Sequence, residues 1–186
     1  MRVLAAMGVA LLLSLSGFAQ TTTTTTATAV YEEGNTLLDS SGNLFVVDSG
    51  RSTTGVTITG SRHSFFMPMT RITVIPKGGS ATTVEYNGSI QVIGVGSAVY
   101  AIATSYTVSG TTLTTATSLI AIRASLPAGP ALTGFASQTL TSPVDARTGP
   151  ADLISVISQA SGSSRTAAVW QFTGTAFLQV SSGTLP

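Results

Sequence analysis

One histidine, seven carboxylates and no cysteine limit the chemistry open to this 186-residue chain. Catalysis needs several titratable groups converging on one point. His63 could act as a base beside Ser61 or Ser64, but adjacent residues of a strand point to opposite faces. A Ser-His-Asp arrangement would have to combine His63 with Asp39, Asp48, Asp145 or Asp152, and no Gly-x-Ser-x-Gly turn is present to present the serine. A surface-loop histidine is the preferred reading, and no catalytic residue is assigned.

Asp39 and Asp48, with Ser41 and Asn43 between them, offer oxygen ligands for a hard cation. Calcium loops place several carboxylates within about twelve residues, and this segment is thinner. A turn in which Asp39 caps backbone amides is preferred. Glu32-Glu33 reads as a solvated strand start, and no two acids share a glycoside-hydrolase pattern. Without cysteine there are no disulfides or thiolate metal sites. No metal site and no cofactor are assigned.

Binding residues are easier to nominate than catalytic ones. Phe65, Phe66, Met67 and Met69 surround Pro68 in the most apolar turn-like cluster of the chain. Exposed, they would mark an interface; buried, they would be core. Trp170 alternates with Ala168 and Phe172, which places all three on one buried strand face. Asn87-Gly88-Ser89 matches a glycosylation acceptor, yet Asn-Gly also suits a two-residue hairpin turn between Val84–Tyr86 and Ser89–Ile93.

The elements that would position these residues are strands. Tyr31 onward alternates short β-branched or aromatic runs with Gly, Asn, Asp, Ser and Pro. Asn35–Leu38 should pair with Asn43–Val47 across Asp39–Gly42, and Arg71–Ile75 with Thr82–Tyr86 across Pro76–Ser80. Ala98–Val108 should pair with Thr111–Arg123 across Ser109-Gly110, and Thr166–Phe172 with Thr175–Val180 across Thr173-Gly174. Tyr100, Ile102 and Thr104 share one face and Val99, Ala101 and Ala103 the other, so apolar groups occupy both faces of that strand, as in a central strand or a sandwich. Pro127–Thr148 reads as a long connection with a short strand near Thr139–Thr141, and Ala151–Ala160 fits helix or strand equally.

The start of the chain has the pattern of an export signal over residues 1–19: Arg2, an apolar run from Val3 to Leu15, and small residues before Gln20. The run is shorter than the roughly 20 residues of a membrane span. Residues 20–30, with threonine at 21–26, read as a linker or as a β-arm that pairs with a neighbouring subunit, leaving 31–186 as one β domain. Charged residues make up 8% of the chain against a typical ~25%, and apolar residues 43%. That composition suits a packed domain. A net charge of +1 supplies no basic field for nucleic acid and little protection against association.

Two resemblances suggest architectures. Asp39-Ser40-Ser41-Gly42-Asn43-Leu44-Phe45-Val46-Val47-Asp48-Ser49-Gly50 resembles one strand-turn-strand of the NHL-type β-propeller repeat, a family of four-stranded blades that bind ligands or partners, with enzymes in some branches. Gly42–Val47 can be laid over Gly88–Ile93 and, more loosely, over Gly174–Gln179. Residues 70–125, through Ile72–Ser80, Thr83–Tyr86 and Ser118–Ala124, are similar to the small β-sandwich modules of phage virion accessory proteins, which imply decoration of capsids or tails and carry no catalytic residues.

The expectation is an all-β chain, an antiparallel sandwich of about ten short strands with a small or partial propeller as the alternative. Its role is structural or binding, secreted or at the cell surface, through assembly or adhesion, as a homo-oligomer or with a partner protein. A virion accessory protein and a propeller-like ligand-binding fragment are the alternatives. No nucleic-acid partner and no membrane span after signal cleavage are expected.

Overall fold

The computed structural model describes residues 29–126, 135–159, 162 and 164–185. The export segment, the threonine run and residues 127–134 of the Pro- and Gly-rich connection lie outside the described residues. Among the described residues twelve strands follow one another: β1 (Ala29–Leu38), β2 (Leu44–Thr57), β3 (Ser64–Ile75), β4 (Thr82–Tyr86), β5 (Gly88–Val95), β6 (Val99–Ser109), β7 (Thr112–Ile122), β8 (Ala136–Leu140), β9 (Pro143–Thr148), β10 (Leu153–Gln159), β11 (Arg165–Phe172) and β12 (Phe177–Leu185). A 3-10 turn at Pro150–Asp152 precedes β10.

The strands divide into three four-stranded antiparallel meanders, β1-β2-β3-β4, β5-β6-β7-β8 and β9-β10-β11-β12. Two apolar cores hold them together. Phe45 and Val47 of β2, Ile72 and Val74 of β3 and Tyr86 of β4 meet Val99, Ala101 and Ala103 of β6 and Ile120 and Ile122 of β7. The opposite face of the middle sheet, through Ala98, Tyr100, Leu119 and Ala121, packs on Ile154, Val156 and Phe172 of the third. The middle sheet is therefore buried on both faces, which is why β6 and β7 carry apolar side chains at successive positions. Each large side chain fully buried here, such as Phe45, Ile72 or Ile120, is worth about 1.5–3 kcal/mol of transfer free energy.

The all-β, antiparallel, sandwich-like expectation holds, with twelve strands in three layers in place of about ten. The β1–β2, β3–β4, β6–β7 and β11–β12 pairings match the expected ones. Of Ala151–Ala160, the described residues 151–159 form the 3-10 turn followed by β10, and 136–148 holds two strands where one was expected.

Asn87-Gly88 is the main correction. It is a corner between sheets, with β4 in the first and β5 in the second, and these two strands do not pair. Thr70 ties the corner to the first sheet: its hydroxyl donates to Gly88 O at 2.9 Å and accepts from Ile90 N–H at 3.2 Å. A Cβ at Gly88 would meet Thr104 O at 2.3 Å, so only glycine passes the corner. Asn87 alone links β4 to β5.

Candidate functional site

The sequence-nominated catalytic and metal residues are placed apart, in structural roles. His63 is exposed at the β2–β3 tip, and the Ser61 hydroxyl bonds the backbone N–H and C=O of His63, leaving its imidazole uninvolved. Asp39 caps the β1–β2 turn: Oδ1 accepts from the amides of Ser41 and Asn43, each at 2.9 Å, and Oδ2 accepts from Asn43 Nδ2 at 2.7 Å. Asn43 Oδ1 in turn accepts the Lys77 amide at 2.9 Å. These oxygens, nominated as cation ligands, are thus occupied by donors. No group of three or more His, Cys, Asp or Glu side chains comes together among the described residues.

Asp48 belongs to a different assembly on the outer face of the first sheet. It pairs with Arg71, whose Nε and Nη2 donate to Oδ2 at 3.0 and 2.8 Å, while Oδ1 accepts from Gly34 N–H at 3.2 Å. The guanidinium lies 4.7 Å from the Tyr31 ring centroid. The Tyr31 hydroxyl is buried with no partner in hydrogen-bond geometry. Burial first, then the neighbouring Glu85 carboxylate, push its pKa up from 10.0 to about 12. Asp152 makes a second internal latch, its Oδ1 accepting from Ser97 N–H at 2.9 Å while Ser97 Oγ and Tyr100 OH lie 3.2 Å apart. Burial raises the Asp152 carboxyl, but the hydroxyl and amide of Ser97 together with the Tyr100 hydroxyl outweigh it and hold the pKa below the ordinary value. Burial pushes the Tyr100 phenol up.

A cleft of about 110 Å³ between the second and third sheets is lined by Gln91, Ile93, Ile102 and the Pro143–Ala146 segment. Small-molecule sites occupy roughly 300–1,000 Å³, so this cleft is smaller than a typical one.

The candidate binding surface lies elsewhere. The far ends of the β2–β3 and β6–β7 hairpins contribute nothing to the two buried clusters. They are joined at their tips by Thr59 N–H donating to Gly110 O at 3.0 Å, and farther back by a tilted Phe65–Tyr106 contact of 6.3 Å. This paired-hairpin arm exposes Phe66 (47%), Leu113 and Val56. Arg51 lies 6.0 Å from the Phe66 centroid, and Arg62 and His63 are exposed at the tip. Neither hairpin carries a carboxylate between residues 51 and 67 or between 104 and 117.

The nominated interface residues divide along this arm. Phe66 is presented to solvent, Phe65 and Met67 are half-buried, and Met69 is turned into the protein at 5% exposure. Alternation explains the division between Phe66 and Met69, because β3 changes from a free hairpin to a core strand at Pro68. The contributions of Tyr106 and Arg51 were not visible in the sequence, since they arrive from other strands at separations of 41 and 15 residues from Phe65 and Phe66. No helix among the described residues is long and apolar enough to cross a membrane. Comparison with protein-family models, curated proteins and solved structures finds no match.

Proposed function

We propose that this chain is an exported, non-catalytic structural or binding protein that acts through assembly or adhesion, with the paired-hairpin arm as its contact surface. The observation that carries this reading is the exposed Phe66 flanked by Arg51 on an arm that carries no carboxylate. An exposed aromatic beside a cation is a common hot-spot composition, and it fits a partner surface that is apolar and acidic. The arm stands on strands whose other ends are anchored in the core, which presents these groups in a fixed geometry and limits the ordering cost of contact.

Carboxylate-modified polystyrene beads supply such a surface as a probe. The full chain should be retained at low salt, and Phe66→Ser combined with Arg51→Ser should reduce the affinity about tenfold or more. Equal retention of the variant would remove the arm from this role. Export is tested by the intact mass of protein made with its native start: a chain beginning at Gln20 supports it, and one beginning at Met1 contradicts it.

A further inference from the structure

We infer that β12 is a self-association edge, pairing antiparallel with β12 of a second copy about a twofold axis and joining two third sheets into one eight-stranded sheet. The inference uses none of the arm residues, so either proposal can fail while the other stands.

An edge strand presents unpaired N–H and C=O groups, and proteins that remain apart protect such edges with charge, proline, bulges or shortness. The edges here are unequally protected. β1 carries Glu32 and Glu33 and changes register between Glu32 and Asn35. β4 and β8 are five residues long, and β4 includes Glu85. β5 is also neutral, but only Gln91 of its eight residues is exposed and its register breaks between Val92 and Gly94. β9 begins at Pro143 and carries Asp145 and Arg147, ion-paired at 3.3 Å. β12 runs nine residues, Phe177–Leu185, without an ionisable side chain. Leu178 and Val180 are 58% and 46% exposed. Its one irregularity, at Val180, leaves Ser181–Leu185 in unbroken register with β11.

The occupant favoured is a second copy. Two identical neutral strands meet without like-charge repulsion in any register, and the chain's net charge of +1 opposes their approach only weakly. The third sheet is antiparallel throughout, so an antiparallel β12 continues its ladder. Leu178 also lies on the outer face with the half-buried Leu153, Ile157 and Val169, an apolar strip that twofold pairing would extend across the axis. The threonine segment that precedes β1 is the competing occupant. Its attachment point, Ala29 of β1, lies in the first sheet, on the opposite side of the stack from the third, two sheet spacings or about 20 Å away. Reciprocal donation of that segment would also close a dimer, but mixing copies that carry opposite charges on β12 would not restore it.

The experiment is light scattering and sedimentation of the full chain over a concentration series. A dimer that does not grow further is expected. Leu178→Lys with Val180→Lys, both at exposed positions, should weaken it at least tenfold at low salt, and Leu38→Lys on β1 should leave it unchanged. Mixing the double lysine variant with a Leu178→Glu/Val180→Glu copy should restore the dimer, which a folding defect would not. Because the chain has no other thiol, a spin label on Ser182→Cys should show dipolar broadening between copies. A monomer at high concentration, open-ended growth, or a dimer indifferent to both charge variants overturns the inference.

Discussion

The outer face of the first sheet and that of the third belong to meanders of the same size, yet they meet solvent differently. On the first sheet, Asp48, Arg71, Tyr31 and Glu85 form one charged assembly across all four strands, with Asp48 only 6% exposed, and the edge β1 carries two glutamates. On the third, the one ion pair, Arg147–Asp145, has its two side chains 80% and 47% exposed, and β12 is neutral. With so few charges available, their placement matters more than their number. They close the outer face of one end sheet and leave that of the other open.

The largest expected effect tests whether the first face is closed structurally. Asp48→Ala removes the acceptor of Arg71 and of the Gly34 amide, and should cost about 1–3 kcal/mol in urea unfolding. The lower part of that range applies if Arg71, 42% exposed, recovers its hydration. An unchanged midpoint would mean that the charged assembly is ornamental and that the two faces are equivalent.

A change of pH should separate them next. The Tyr31 phenol is held protonated by the fold, with a pKa of about 12 against 10.0. Its contribution is present below about pH 10 and is lost as pH rises through about 12, because the unfolded chain releases this proton first. Tyr86 and Tyr100, raised by burial, act in the same direction. Tyr31→Phe should therefore flatten the alkaline loss of stability. At pH 7 it should change stability by less than about 1 kcal/mol, since the hydroxyl it removes has no partner. An unaltered alkaline profile would detach Tyr31 from the closed face.

The smallest effect belongs to the open face. Asp145→Ala breaks an exposed pair and should alter stability by less than about 0.5 kcal/mol. A loss comparable to that of Asp48→Ala would erase the contrast between the two sheets.

Much of the fold was legible from local pattern. Strand alternation and the turns at Asp39–Gly42, Pro76–Ser80, Ser109-Gly110 and Thr173-Gly174 announce four hairpins, because register and turn geometry are set by neighbours in the chain. The double-sided burial of β6 was equally visible, in apolar residues on both of its faces. The candidate surface was legible only in part: Phe65, Phe66 and Met67 mark the arm, while Met69 passes into the core.

The sequence by itself determined an all-β chain with one histidine, no thiol and few charges, because those properties follow from composition and short-range alternation. Tertiary structure alone decided that Asn87-Gly88 would turn between layers, that Asp48 would meet Arg71 and Tyr31, and that Phe65 would meet Tyr106. Each of these outcomes rests on contacts between residues distant in the chain, and local periodicity carries no information about which sheet a strand will join.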